Sequence, residues 1–469
     1  MRELLWVLEA PTPLRCYAAE LLTEWIGLRA RILPAVPDGQ TPCVLHGLDW
    51  SGSAPRLRIP NRPDSVPATA VTWQWAGRAG ELSADIVNGT AALLTDEPNR
   101  ALPDDAYDRH GRLWGCRSTA GLDGVADPLI NRYAAALRAA LPALGAYEAE
   151  PTWPVGYTAC VALSHDVDRP DKYAGWRALR RGRLPAPRLV PWFAARAGYE
   201  LVQRGRDTRP EEFWLFDDIL QFEAEAGVRS TFLFAVMPAY GAYGSRHDVL
   251  YDAAWPDVSG AARGIVQAGW EVGLHASYNA YQRASRFAEE KQRLESLAGV
   301  PARGLRHHFW HVGPDVAATL RAHEDAGFQY DSSLAFNDVV GLRRGIALPY
   351  RPWDSARQRP LKTWQLPVLA LDSAACGGRS VEEAVEHVWR ALEGILAVGG
   401  LAALDWHVRC SLPLTRRYAA WGTIYQSLVE RLAARSDVWV TNLGAVAEWA
   451  QRRVDRIRLS PRTGPFVAG

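Results

Sequence analysis

Net charge is almost absent from this chain: 53 Lys and Arg stand against 52 Asp and Glu, a formal balance of +1. Without a global field there is nothing to attract a polyanion, so nucleic acid is not an expected partner. Also missing is any charge-free run of about 18 apolar residues, so no spanning helix is expected. None of the six cysteines (Cys16, Cys43, Cys116, Cys160, Cys376, Cys410) forms a Cys-x-x-Cys pair. Scattered in this way, they fit small core residues of a reducing compartment. The N-terminus, Met1 to Leu8, carries an acid and only a short apolar run. It reads as a first strand and not as a signal peptide, which makes a cytoplasmic location the expectation.

What is present is an ordinary globular composition over 469 residues, 48% hydrophobic and 22% charged, which implies more than one domain. Residues 1–150 read as a smaller α/β domain of unknown role. Leu14, Ala18, Leu21, Leu22 and Trp25 recur at helical spacing before Gly27. Leu82–Val87 and Ala91–Leu94 are predicted as strands around Asn88-Gly89, a hairpin turn signal. A helix is predicted from Asp127 to Leu144. No catalytic grouping is visible in this unit, and Pro151 and Pro154 mark a linker.

From Ala159 onward, apolar runs alternate with helical stretches. Strands are predicted at 159–165, 230–236, 270–274, 303–306, 364–369, 400–407 and 438–441. This alternation implies a parallel sheet with helices outside, open or closed into a barrel. The second domain is placed at 151–455 and a tail at 456–469. One insertion interrupts the pattern: between Lys172 and Arg209 lie ten Lys or Arg and only two acids, Glu200 and Asp207. With Trp192, Phe193, Leu201 and Val202 it suggests an amphipathic lid. Either it meets an anionic substrate or a lipid headgroup surface, as a possible peripheral membrane contact, or it is a solvated insertion packed on the barrel.

Chemistry concentrates at the predicted strand ends. Ala159–Leu163 is an apolar run that leads into Ser164-His165-Asp166-Val167-Asp168, where two carboxylates spaced i, i+2 share one strand face. Asp-x-Asp after a strand is also a common turn or cap pattern. Further along come Trp270–Asn279 with His275, then Arg306-His307-His308-Phe309-Trp310-His311, Tyr330-Asp331-Ser332-Ser333 and Leu404-Asp405-Trp406-His407. Together these supply an oxygen ligand, imidazole ligands, an arginine and a separate histidine acid, which is the inventory of a metal-assisted hydrolase. The 20 tryptophans are assigned mainly to cores. Trp310, Trp353 and Trp406 lie beside the polar motifs, and Trp310 and Trp406 are expected to wall a sugar groove.

The order and content of these motifs over residues 157–450 resemble the polysaccharide deacetylases, the family-four carbohydrate esterases. Glu271–Tyr281, Gly341–Gly345 and Pro349–Asp354 resemble a divergent bacterial branch found with exopolysaccharide biosynthesis, in which an uncharacterised domain often precedes the barrel. The resemblance implies a distorted (β/α)7 barrel. It implies Asp166 as base, Asp168 and His275 as metal ligands, Arg306 orienting the base, Asp331 supporting it, and His407 protonating the leaving group. The family's second metal histidine falls on Asn279, and amide oxygen is a poorer zinc ligand. His308 is the best substitute, with His307 and His311 behind it, and it stands where the family has proline. The implied cofactor is a divalent metal, zinc first, then cobalt or nickel. The implied substrate is an acetylated sugar or glycolipid precursor. Two other readings stay open: a non-catalytic glycan-binding barrel, and a hydrolase of another C–N amide bond.

Overall fold

The computed structural model describes residues 2–37, 41–49, 53–62, 67–209 and 211–459. In the first unit six strands form one sheet: β1 (Glu3–Leu8), β2 (Arg29–Leu33), β3 (Cys43–His46), β4 (Arg56–Ile59), β5 (Trp73–Ala76) and β6 (Ala79–Leu82). Their order is β2-β1-β3-β4-β6-β5, parallel except for β5 against β6. The helix Pro13–Trp25 starts as its sequence dictates. Thr12 accepts the Arg15 N–H, Pro13 opens the first turn, and Leu21, Leu22 and Trp25 are buried.

The predicted hairpin at Asn88-Gly89 is absent, because Ile86–Thr95 is a helix. Asp85 caps it, accepting from the Asn88 backbone N–H (2.9 Å) and its amide (2.6 Å). That cap satisfies donors that a first helical turn otherwise leaves unmet, and it outweighs the turn preference of Asn-Gly. Gly89 serves packing instead: a Cβ there would lie 2.9 Å from the Tyr133 ring of the helix Leu129–Ala140.

The second unit holds a nine-stranded sheet. Its members are β7 (Ala159–Val167), β8 (Ser230–Phe234), β9 (Glu271–Ala276), β10 (Gly304–His307) and β11 (Tyr330–Asp331). A small ribbon, β12 (Trp353–Asp354) with β13 (Arg359–Pro360), stands apart. Then come β14 (Trp364–Gln365), β15 (Val368–Leu371), β16 (Leu401–Asp405) and β17 (Val438–Asn442). All its pairings are parallel, in the order β14-β11-β10-β9-β8-β7-β16-β15. Every residue of β7 is buried, as expected of a strand covered on both faces. β17 pairs with the first half of β7 (Ala159–Leu163), and β8 with the second half (Leu163–Val167).

The two outermost strands of this order, β14 and β15, are consecutive in the chain and separated only by Leu366 and Pro367. The Leu366 N–H donates to the Asp331 carbonyl and the Ala403 N–H to the Pro367 carbonyl, so one extended segment bridges both edges and curls the sheet. A single strand was predicted at 364–369. It breaks there because proline has no N–H to give to a ladder.

The units are pinned together. Tyr17 donates to the Arg351 carbonyl at 2.7 Å, and the buried Arg453 guanidinium donates to the carbonyls of Glu24 and Pro151 at 2.7 Å each. The helix Leu443–Leu459 runs through the first positions of the predicted tail, and 460–469 lie outside the described residues.

Candidate metal centre and active site

Parallel strands deliver their C-terminal ends to one rim, and the polar motifs gather there. Asp166 is the penultimate residue of β7, with Asp168 just beyond the strand; His275 is in β9, Arg306 in β10, and His407 follows β16. Ligand atoms of Asp168, His275 and His308 lie within 4.8 Å of one another. Asp168 Oδ1 is 3.2 Å from His275 Nε2 and 3.2 Å from His308 Nδ1. The oxygen is buried without a hydrogen-bond partner among the described residues.

The tautomers of the two histidines follow from their outer contacts. His275 Nδ1 lies 3.1 Å from the Arg306 carbonyl, and His308 Nε2 lies 2.7 Å from the His247 carbonyl. A carbonyl only accepts, so each of those nitrogens carries a proton. On neutral rings the other nitrogens, His275 Nε2 and His308 Nδ1, present lone pairs 2.9 Å from each other beside a carboxylate; burial opposes a charge on His275, but Asp166 and Asp168 raise its pKa, as they would favour any cation here. Three acceptors facing one point without a donor fit a cation. A backbone carbonyl behind each imidazole is a common way to fix a metal ligand.

His308 reaches this position through unusual backbone. Phe309 and Trp310, which follow it, have φ of 60° and 54°, in the left-handed region that side chains disfavour. Asn279 is elsewhere: its amide oxygen accepts from Gln282 and its carbonyl from Arg286. His307 and His311 turn away from the centre. His307 meets His323 at 2.9 Å, and His311 meets the Tyr278 carbonyl at 2.7 Å.

Arg306 is fully buried between two carboxylates, 2.9 Å from Asp166 Oδ1 and 2.8 Å from Asp405 Oδ1. Burial pushes Asp166 upward, but His275, Arg306 and His407 outweigh it and hold the carboxyl below its ordinary range. Asp405 goes the other way, because burial and the Asp166 charge outweigh Arg306 and drive it well above the usual range. Of the two acids, Asp166 is therefore the one kept ionised. Asp331 touches neither. It accepts from the Ser333 hydroxyl (2.5 Å) and N–H (3.1 Å), and burial pushes it up to about 6. It ends β11, directly before Ser332, which receives the Arg306 Nε.

His407 Nε2 is 2.9 Å from Asp168 Oδ2, and its Nδ1 is 2.8 Å from Asp372 Oδ2, which also accepts its backbone N–H. Burial opposes a charge on this ring, yet Asp372 and Asp168 raise its pKa well above the ordinary value. Asp372 was invisible to sequence reading because it opens a short helix after β15 and meets His407 only across the sheet. Asp405 and Arg409 stood in or beside a quoted motif and still carried no spacing signal for their contacts.

A cavity of about 720 Å³ holds Asp166, Asp168, His275 and His407, and one of its walls comes from the first unit. Asp108, Arg109, His110 and Arg112 line it, although no catalytic grouping is legible in residues 1–150. Arg112 fixes that loop by donating to the Phe309 carbonyl (3.1 Å) and to Asn337 (2.9 Å), and His110 meets the Tyr278 hydroxyl at 2.7 Å. An adjoining cavity shares Arg109, His110, Arg112 and Trp310. Trp406 does not wall this groove, being buried with its N–H on the Trp421 carbonyl, and Trp421 and Tyr418 line the cavity in its place. None of residues 172–209 lines this cavity.

No family model and no curated protein matches the sequence. Solved structures give low-identity likenesses. A structure assigned to the polysaccharide deacetylases, from Mycobacterium smegmatis, is 20% identical over 68% of this chain and 98% of its own, with a TM-score of 0.43. A PuuE allantoinase is 18% identical over 68% of this chain and 97% of its own, at 0.41. A CE4-family pseudoenzyme from Bacillus anthracis is 12% identical over 61% of this chain and 65% of its own, at 0.31.

Proposed function

We propose that this chain is a metal-dependent hydrolase of the polysaccharide-deacetylase kind, removing an acetyl group from an N- or O-acetylated sugar. One observation carries the reading: His275 Nε2 and His308 Nδ1 meet at 2.9 Å, each 3.2 Å from Asp168 Oδ1, an arrangement that a divalent cation stabilises. His308 beside Asp168 and His275 supports a three-ligand set that does without Asn279, the feature that favoured a binding-only barrel. The curled sheet, with both edges in one segment, supports a seven-fold strand–helix barrel.

Two imidazoles and a carboxylate suit zinc, with cobalt or nickel next. A divalent cation held by Asp168, His275 and His308 would supply Lewis acidity toward the acyl carbonyl. Asp166, kept ionised by Arg306, takes the proton from the attacking water. His407, oriented by Asp372, gives its proton to the departing nitrogen or oxygen as the acyl bond breaks, leaving acetate and the free amine or alcohol.

The test is hydrolysis by metal-loaded protein, read as acetate release from N-acetylated and O-acetylated sugars and as ring opening of small cyclic amides. Release from an acetylated saccharide, abolished by chelation, is the expected result. Turnover of the amides alone would move the chain to another C–N hydrolase, and saturable glycan binding without release would make it a binding barrel. A second expectation concerns the first unit. His110→Ala raises KM about tenfold with kcat within about twofold, since the residue touches the groove wall and not the reacting atoms. Steady-state kinetics with metal content measured alongside check it.

A further inference from the structure

The basic insertion folds into two helices, Ala174–Arg180 and Val190–Arg204. Glu200 clasps them, accepting from the Trp176 N–H (3.0 Å) and from Arg196 (2.8 Å). The second helix buries Phe193, Ala197 and Glu200 against the protein. Its opposite face carries Ala194, Ala195, Gly198, Tyr199, Leu201 and Val202, all exposed and none charged. A helix lying on a protein normally turns a polar face to water, so this helix is apolar on the wrong side for a solvated insertion. Tyr199 is 59% exposed, Leu201 44% and Val202 51%, and Leu184 just before the helix is 60% exposed.

Within the insertion the exposed charge has one sign, although Asp171, Glu211 and Asp257 border Arg180, Arg181 and Arg204. Arg180, Arg181, Arg183, Arg188, Arg204 and Arg206 are exposed and form no ion pair among the described residues. The only acids of the segment are turned inward, Glu200 onto Arg196 and Asp207 onto Lys172 and Tyr173. A second loop adds to the rim. Leu414, Arg416 and Arg417, shortly after His407, are exposed, and the Arg416 N–H meets Glu212, which also holds Lys172. The insertion itself leaves β7 directly after Asp168, so it begins at the mouth of the candidate site.

We propose that this face docks on an anionic lipid bilayer. Tyr199, Leu201 and Val202 enter the boundary between headgroups and acyl chains, and the arginines meet acidic headgroups. Attachment is peripheral, since no helix among the described residues is long and apolar enough to cross a membrane. A second copy of the chain is a poorer occupant, because pairing this face with itself would set the two arginine rims against each other. Docking here brings the site mouth to the membrane surface and so names the substrate class as a lipid-linked acetylated saccharide. That last step rests on the hydrolase reading, whereas the docking does not.

The experiment is co-sedimentation of the full chain with vesicles of phosphatidylcholine alone or of equal parts phosphatidylcholine and phosphatidylglycerol. Binding to the anionic vesicles only, weakening as salt rises, is expected. Replacing Arg180 and Arg181 by Gln lowers the partition coefficient about fivefold per residue. Leu201→Asp with Val202→Asp lowers it more than about tenfold, with the thermal melt and metal content unchanged. Equal binding to both vesicle types, no binding at low salt, or binding untouched by the variants would overturn the proposal. So would a concentration-dependent dimer, formed without vesicles, that the Leu201/Val202 variant dissolves. Loss of vesicle binding with acetate release intact strikes the docking alone, and vesicle binding by a chain that holds no metal strikes the hydrolase reading alone.

Discussion

Asp168→Asn is expected to lose the bound cation and hydrolysis together, while Asp166→Asn keeps the cation and loses hydrolysis alone. The contrast follows from where the two carboxylates point. Asp168 Oδ1 stands against both imidazole lone pairs, whereas Asp166 Oδ1 is engaged by Arg306. An amide in place of Asp168 removes the negative charge and offers a neutral, weaker donor to a divalent ion. Elemental mass spectrometry should find about one transition metal per wild-type chain, the stoichiometry of a site with three protein ligands, and little in the Asp168 variant. For Asp166→Asn the rate should fall by about 10²–10⁴, the usual worth of a positioned base. A wild-type chain that takes up no zinc, cobalt or nickel would refute the metal centre. Full activity in Asp166→Asn would remove the base from that residue.

The second large effect lies outside the site. Glu223 is fully buried and accepts from the Ser230 hydroxyl at 2.8 Å, Trp270 Nε1 at 2.7 Å and the Tyr425 hydroxyl at 2.7 Å, with His165 Nε2 2.9 Å away. It thereby ties β7 and β8, the start of β9 and the helix Ala419–Ala433 together under the rim that carries Asp166 and Asp168. Glu223→Ala strands those donors in the core and should cost about 3–5 kcal/mol, read as a lower urea midpoint at unchanged slope. Burial works to raise this carboxyl, but its partners, His165 first, hold it below the ordinary value. The sign of the pH dependence follows. A depressed acid gives stability above its unfolded pKa of about 4.3, and loses it as pH falls through the lower folded value. Glu223→Gln should therefore differ most from wild type near neutral pH and converge on it in acid. A gap that stays constant from pH 7 to strongly acid conditions, scanned in urea melts, would show that the charge contributes nothing.

Legibility in the sequence followed the range of the interaction. β7 was visible because a strand buried on both faces has to be a continuous apolar run, and Asp166 and Asp168 were visible because a strand repeats every second residue. His275, Arg306 and His407 were found because parallel strands put their polar ends on one rim, so the order of motifs along the chain already maps to one place. Helix starts such as Thr12-Pro13 were equally local. The Asn88-Gly89 hairpin failed on another local signal, the Asp85 cap, which competes for the same four residues. Pro367 broke a strand that apolar content alone made continuous.

What remained belongs to the tertiary structure, for a physical reason. The choice of His308 over Asn279 depends on the left-handed turn at Phe309 and Trp310 and on the His247 carbonyl 61 residues away. The pairing of His407 with Asp372, 35 residues apart, and the entry of His110 beside Tyr278, 168 residues apart, depend on how the sheet curls and how the two units dock. Periodicity reports only which neighbours share a face within a few residues. By itself, then, the sequence determined the strands, their common polar rim and the residue types offered there. Packing decided which of those groups face one another, which carboxyl stays charged, and which imidazole nitrogens converge on Asp168.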